Sequence, residues 1–238
     1  MKARLVETRP VADRTAAFIF EIAGVPFEFK AGQTCDVTLP APKYEDAEGT
    51  TRTFSIASSP ADLPRVMFAT RLTGSAFKRS LLEAPAGTEV EIEGPFGSFT
   101  LHQNAKRPAA FLAGGIGITP FHGIIKDAVE RRLPHRLALF YSNRNASSTA
   151  FLSDLEAWAK AAQNFQFVPT LTEPSTGEAW RYATGLIDAN FLSSRLADAA
   201  ETIFYIAGPA RFVKAMQEIL PKAGADPDNI RAEEFAGY

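Results

Sequence analysis

One cysteine, Cys35, in 238 residues rules out an internal disulfide, and equally an iron–sulfur cluster held by several thiolates of this chain. Three histidines, His102, His122 and His135, stand too far apart for the i, i+4 pairing of helical metal ligands, so no metal site is expected. Charge of one sign is scarce too. With 25 basic against 27 acidic residues and a net charge of -2, both signs scattered, nothing points to nucleic acid or to an anionic membrane surface as a partner. No uncharged apolar stretch approaches the roughly 20 residues that span a bilayer, and the N-terminus lacks the charged-then-apolar pattern of a signal peptide, so a cytosolic protein is expected. What is present, 46% hydrophobic and 22% charged residues, suits a globular chain of one large or two modest domains.

The first hundred residues favour strands, at 4–8, 16–22, 33–39, 51–57, 65–71 and 89–93, with turn residues between them. In the last of these Val90 and Ile92 alternate with Glu89, Glu91 and Glu93, the pattern of a strand with one wet face. One helix, 75–82, interrupts the set, with Thr73 or Ser75 as its cap. From Ala109 the pattern changes to strands alternating with helices, which predicts βαβ units and a parallel sheet. Strands are expected at 109–113, 136–141, 165–169, 202–207 and 230–235, and helices near 119–132, 151–162, 189–197 and 209–220. Residues 41–49 and 173–185 read as loops. The boundary falls near 103–108, giving domains 1–103 and 108–238.

Three motifs carry chemistry. In Arg52-Thr53-Phe54-Ser55, strand alternation sets a cation and a flat apolar ring, Arg52 and Phe54, on one face and Thr53 and Ser55 on the other. Thr70-Arg71-Leu72-Thr73-Gly74-Ser75 leads a strand through glycine into a helix, whose first N–H groups favour an anion. After the apolar strand 109–113 comes Gly114-Gly115-Ile116-Gly117-Ile118-Thr119-Pro120-Phe121, a turn that lets backbone approach a pyrophosphate, with Thr119 placed to cap the helix and Pro120 in its first turn.

In this order the motifs resemble the ferredoxin–NADP reductase superfamily, and the resemblance runs through nearly the whole chain. It implies a six-stranded antiparallel FAD-binding barrel followed by a five-stranded parallel Rossmann-like domain for NADPH or NADH, with the flavin in the cleft between them. In such proteins the arginine binds phosphate, the aromatic stacks on the flavin and the serine hydroxyl sits near N5; these roles fall to Arg52, Phe54 and Ser55, with Thr53 between them. Thr70, Arg71, Gly74 and Ser75 resemble the second flavin segment, and their lead into a helix favours FAD over FMN. Gly115, Gly117, Thr119 and Pro120 match the nucleotide turn, and Gly94-Pro95-Phe96-Gly97 the turn that closes the barrel. Ser142 and Arg144 stand where relatives grip the adenosine ribose and its phosphate, and a guanidinium there suits a 2′-phosphate. Ala207-Gly208-Pro209 resembles the segment beside the nicotinamide, with alanine for the usual cysteine. Glu233 and Phe235 match a terminal Glu-x-aromatic, in which the glutamate lies near the reacting rings and the aromatic, Phe235 or Tyr238, covers the flavin. Phe54 departs from the usual tyrosine.

The activity so implied is hydride transfer between NAD(P)H and flavin, with electrons passed to a carrier such as ferredoxin or flavodoxin. The alternatives are the reductase component of an oxygenase, a free-flavin reductase, or a flavin electron-transfer subunit that no longer turns over nicotinamide.

Overall fold

The computed structural model describes residues 1–24, 26–175, 177 and 179–235. Before residue 97 come the strands β1 (Lys2–Ala12), β2 (Thr15–Ile22), β3 (Thr34–Thr38), β4 (Thr51–Ser55), β5 (Arg65–Arg71) and β6 (Glu89–Phe96), with the α-helix α1 (Ala76–Leu82) between the last two. The strands pair antiparallel in the order β4-β3-β6-β1-β2-β5. Just past β4, the Ala57 N–H donates to Met67 O at 2.8 Å and joins the two outer strands, so the sheet closes on itself. Its interior is filled by Phe18, Phe20, Phe68, Phe77, Val90 and Ile92. The alternation of β6 is as expected, Val90 and Ile92 buried and the three glutamates exposed. That strand runs on through Gly94-Pro95-Phe96, so the segment read as a turn is strand up to Gly97. Gly94 has φ +146°, and a Cβ on it would fall 2.8 Å from Cys35 Sγ.

The second half comprises β7 (Ala109–Gly114), α2 (Ile118–Glu130), β8 (Leu137–Asn143), α3 (Leu152–Ala161), β9 (Phe165–Leu171), β10 (Ala183–Thr184), α4 (Ala189–Ser193), β11 (Ile203–Pro209), α5 (Ala210–Ile219) and β12 (Ile230–Phe235). Its parallel sheet has the order β10-β9-β8-β7-β11-β12. The expectation of five strands is corrected to six. The additional strand is two residues long, inside the stretch read as loop, and it is held by backbone pairing and by Thr170 Oγ1 donating to Gly185 O at 2.9 Å rather than by any apolar run. Helix α4 stops at Ser193, short of the expected 197, because the Ser194 hydroxyl and the Arg195 guanidinium both take the Phe191 carbonyl. Among the described residues no helix is long and apolar enough to cross a membrane.

Helix α2 joins the halves. Every residue from Ile118 to Ile125 is buried, because one side of the helix covers the parallel sheet while the other rests on the chain leaving β4. There the His122 Nδ1–H donates to Ala57 O at 2.6 Å, and its ring packs 4.1 Å from Phe151 and 4.8 Å from Trp158 between centroids. Gly123 sits so close that a Cβ would fall 2.8 Å from Ser58 O and 2.9 Å from Ile56 O. The connecting segment is also pinned, with the Tyr205 hydroxyl accepting from the His102 N–H at 2.9 Å and the His135 Nε2–H donating to His102 O at 2.8 Å.

Because both oxygens facing Gly123 belong to backbone, they cannot swing aside. Gly123→Ala is therefore expected to lower stability by about 1–3 kcal/mol, read as an earlier denaturant midpoint. An unchanged midpoint would show that α2 is not tightly seated on residues 56–58.

Candidate active site

The nucleotide turn is built from backbone approaching backbone. From Gly115 to Gly117 the chain makes one 3-10 turn, and α2 starts at Ile118 with Gly117 as its N-cap and no side-chain cap. Thr119, expected to cap, does not: it already lies inside the first turn, buried, and its hydroxyl donates to Ile116 O at 3.2 Å. The first N–H groups of α2 are left without a side-chain acceptor, and Pro120, in the first turn, has no N–H to leave unpaired. A Cβ on Gly117 would fall 2.2 Å from Ala207 O, and one on Gly208, at φ +151°, 3.0 Å from Gly114 O. Gly115 has φ +53° and nothing within 4 Å of its missing Cβ, so it leaves open backbone at the mouth of the turn.

Around this turn the sheet register fixes the neighbours. Ser142 is opposite Gly114, Glu233 opposite Ala207, and Phe235 opposite Pro209. Arg144 is exposed just beyond β8, and its guanidinium has no partner among the described residues. Glu233 Oε2 is sealed from solvent and accepts no hydrogen bond among the described residues, and burial pushes its carboxyl up to about 6. Phe235 is half-buried at the end of β12. Tyr238, the other aromatic considered for covering the flavin, lies outside the described residues.

On the barrel side, Arg52 pairs with Val37 and Phe54 with Cys35, both interior residues, so the two share a face as alternation requires. The Phe54 ring lies 6.0 Å from those of both Phe68 and Phe77, and the Arg52 guanidinium 5.3 Å from the Phe77 ring. Thr53 turns away, its hydroxyl donating to Asp36, and Ser55 is buried opposite Thr34. Arg52, however, is not a free cation. Its Nη1 donates to Glu48 O, Gly49 O and Thr51 O at 2.8–3.0 Å, and its Nη2 to Glu48 Oε2 at 2.8 Å with Asp46 Oδ1 at 3.6 Å. The first turn of α1 is likewise occupied, for the Ala76 N–H donates to Asp46 Oδ2 at 2.9 Å and the Lys78 N–H to Ser75 Oγ at 3.4 Å. Thr70 is buried with only a long bond, 3.4 Å, to Arg71 O. The Arg71 side chain is half-buried without a partner among the described residues, and Gly74, at φ +85°, again leaves open backbone.

One cation escaped the sequence reading. Lys78 is half-buried in the first turn of α1, its ammonium held below the usual lysine range first by burial and then by the nearby charge of Arg52, with Glu48 acting against both. The signal was there: a lysine in a helix's first turn opposes the helix dipole and needs an anion close by.

These residues fit a flavin dinucleotide and a nicotinamide nucleotide. Open glycine backbone at 74 and 115, unpartnered guanidiniums at Arg71 and Arg144, and an unpaired buried carboxyl at Glu233 all lie along the two cradles. Comparison with known proteins agrees. The oxidoreductase NAD-binding domain family matches residues 111–218. Ferredoxin–NADP reductase B of Sorangium cellulosum is 30% identical over 243 residues, covering 98% of this chain and 97% of that protein. The chain belongs to the ferredoxin–NADP reductase family. It is accordingly an NAD(P)H-dependent flavoprotein oxidoreductase, and FAD with a nicotinamide dinucleotide are the cofactors this family brings to such a pair of domains. The toluate 1,2-dioxygenase electron transfer component of Pseudomonas putida is 28% identical over 240 residues, covering 99% of this chain and 67% of that one. Among solved structures, the flavohem-like FAD/NAD binding domain of nitric oxide dioxygenase from Vibrio cholerae superposes with a TM-score of 0.86 at 17% identity, covering 98% of each chain, which shows the shared fold.

Glu233 gives a pH signature. A carboxyl held at about 6 instead of 4.5 keeps its proton in the fold over a range where the unfolded chain has lost it. Stability therefore falls as pH rises from 4.5 to about 6, and the penalty is complete above that. Glu233→Gln is expected to be more stable than the parent at pH 8 by about 1–2 kcal/mol, with the gap closing toward pH 4.5. Urea midpoints across that range check it; a gap independent of pH would mean the carboxylate is well solvated.

Proposed function

We propose that this chain takes hydride from NADPH onto bound FAD and passes the electrons to a small redox protein, a ferredoxin or a flavodoxin. The observation that carries the reading is the seating of α2 on residues 56–58, which brings the flavin strand and the nucleotide turn to one seam. FAD, when bound, supplies the chemistry, accepting a hydride and releasing electrons singly or paired. The protein's part is positional.

With FAD bound, Phe54 would offer a flat face to the isoalloxazine, and Ser55, at the end of β4, would supply a hydroxyl near N5. Arg52, Thr53, Thr70, Arg71, Gly74 and Ser75 form the side that holds ribityl and pyrophosphate. Gly115, Gly117, Thr119 and Pro120 shape the turn that receives the coenzyme pyrophosphate, with Ser142 and Arg144 at the adenosine end. Gly208 and Pro209 carry β11 past the nicotinamide position, where Glu233 excludes water and Phe235 covers the ring until nicotinamide arrives. Ala207, where relatives carry cysteine, removes a thiol from this wall; it is the one residue that favours a subunit without nicotinamide turnover. Arg144, an exposed guanidinium with no partner among the described residues, favours the 2′-phosphate of NADPH.

The acceptor rests on the Sorangium cellulosum relative, named a ferredoxin–NADP reductase and matched nearly end to end. A second reading, the reductase component of an oxygenase, is favoured by the Pseudomonas putida relative that covers 99% of this chain. The reading places the protein in the cytoplasm.

The protein is expected to purify yellow and to bleach when NADPH is added under argon; a coloured protein that NADPH leaves unchanged would assign it to the subunit without turnover. Arg144→Ala should raise KM for NADPH far more than for NADH. Equal changes would make Arg144 a solvated surface charge.

A further inference from the structure

The loop between β3 and β4 is folded over the start of α1 and fastened at both ends. At one end the Tyr44 N–H donates to Ser80 Oγ at 2.8 Å, the Tyr44 hydroxyl donates to Glu83, and the Arg79 guanidinium covers the Tyr44 ring at 3.9 Å. At the other, Glu48 and Asp46 turn their carboxylates onto Arg52, which is only 18% exposed. The Lys78 ammonium donates to Thr73 Oγ1 at 3.2 Å and lies near enough for both Arg52 and Glu48 to act on its charge. Half-buried cations near one another are unfavourable without a counter-charge, and Glu48, 2.8 Å from the Arg52 guanidinium, supplies one.

We propose that residues 43–49 act as an internal anion gate: Asp46 and Glu48 hold the Arg52 guanidinium, beside Lys78, where the FAD pyrophosphate would sit, and FAD binding displaces them. This rests on the flavin reading above. A pyrophosphate presents negative oxygens to the same donors and competes directly with the carboxylates. Riboflavin has the same ring system without phosphate, so it does not compete. The gate therefore makes the chain discriminate among flavins by charge, and it sets FAD affinity by exchange of anions instead of by simple attraction.

The experiment measures dissociation constants for FAD and for riboflavin, by quenching of flavin fluorescence, in the parent, Glu48→Gln, Asp46→Asn and Lys78→Met, with melting temperatures confirming that each variant is folded. Glu48 is 71% exposed, so its amide is tolerated. Glu48→Gln and Asp46→Asn should each tighten FAD, together by about tenfold, while riboflavin is unmoved. Lys78→Met should weaken FAD by about tenfold and again leave riboflavin alone. Unchanged or weaker FAD binding in Glu48→Gln, or equal shifts for both flavins, overturns the gate while leaving the flavin reading intact. A parent that binds neither flavin overturns the flavin reading, and the gate with it.

Discussion

The contact on which the molecule depends is that of α2 with the backbone leaving β4. The His122 imidazole bonds the Ala57 carbonyl at 2.6 Å, and Gly123 lies against the carbonyls of Ile56 and Ser58. Ser55 is one peptide before this seat on the barrel side, and Gly117 six residues before Gly123 on the other. The two cradles are thus tied to one patch of backbone with little side chain between them. Backbone is stiff where side chains are not, so β4 and the turn at 114–117 are held at a fixed separation.

The same economy governs the nucleotide side. β7 and β11 end within touching distance, Gly117 on Ala207 and Gly208 on Gly114, and any side chain at those glycines would wedge the strand ends apart. Glu233 follows from this closeness, because β12 pairs with β11 in a register that sets Glu233 beside Ala207. A small residue at 207 leaves the carboxyl no thiol or hydroxyl to meet, and burial then keeps it partly protonated near neutral pH.

Much of this was legible from residue types, and what was not has specific causes. All six barrel strands and all five major strands of the second sheet are where alternation and apolar runs placed them, since burial on one face or both leaves a period that local sequence records. β10 escaped because two residues have no period, and α4 was drawn too long because Ser194 and Arg195 are compatible with helix until their side chains take the Phe191 carbonyl. Thr119 misled by one position, since capping depends on where the first turn begins and here Gly117 opens it. At the site, the motifs singled out the residues on both sides of the seam, but they could not show Arg52 engaged by Asp46 and Glu48. Those acids lie in a segment that reads only as loop, and their meaning comes from which cations the fold sets beside them.

Arg52 and Lys78 also explain why a reductase site would carry carboxylates at all. A cradle able to hold a dianion concentrates positive charge, and before the dianion arrives that charge repels itself and attracts any phosphate in the cell. Under the proposed gate, carboxylates on a tethered loop would neutralise the cradle at high effective concentration, yet each would have a weaker hold on a guanidinium than a pyrophosphate presenting several oxygens at once. Exchange of the kind proposed would be selective for a ligand that brings both a multivalent anion and a ring to rest on Phe54. A lone phosphate offers only the first, and riboflavin only the second.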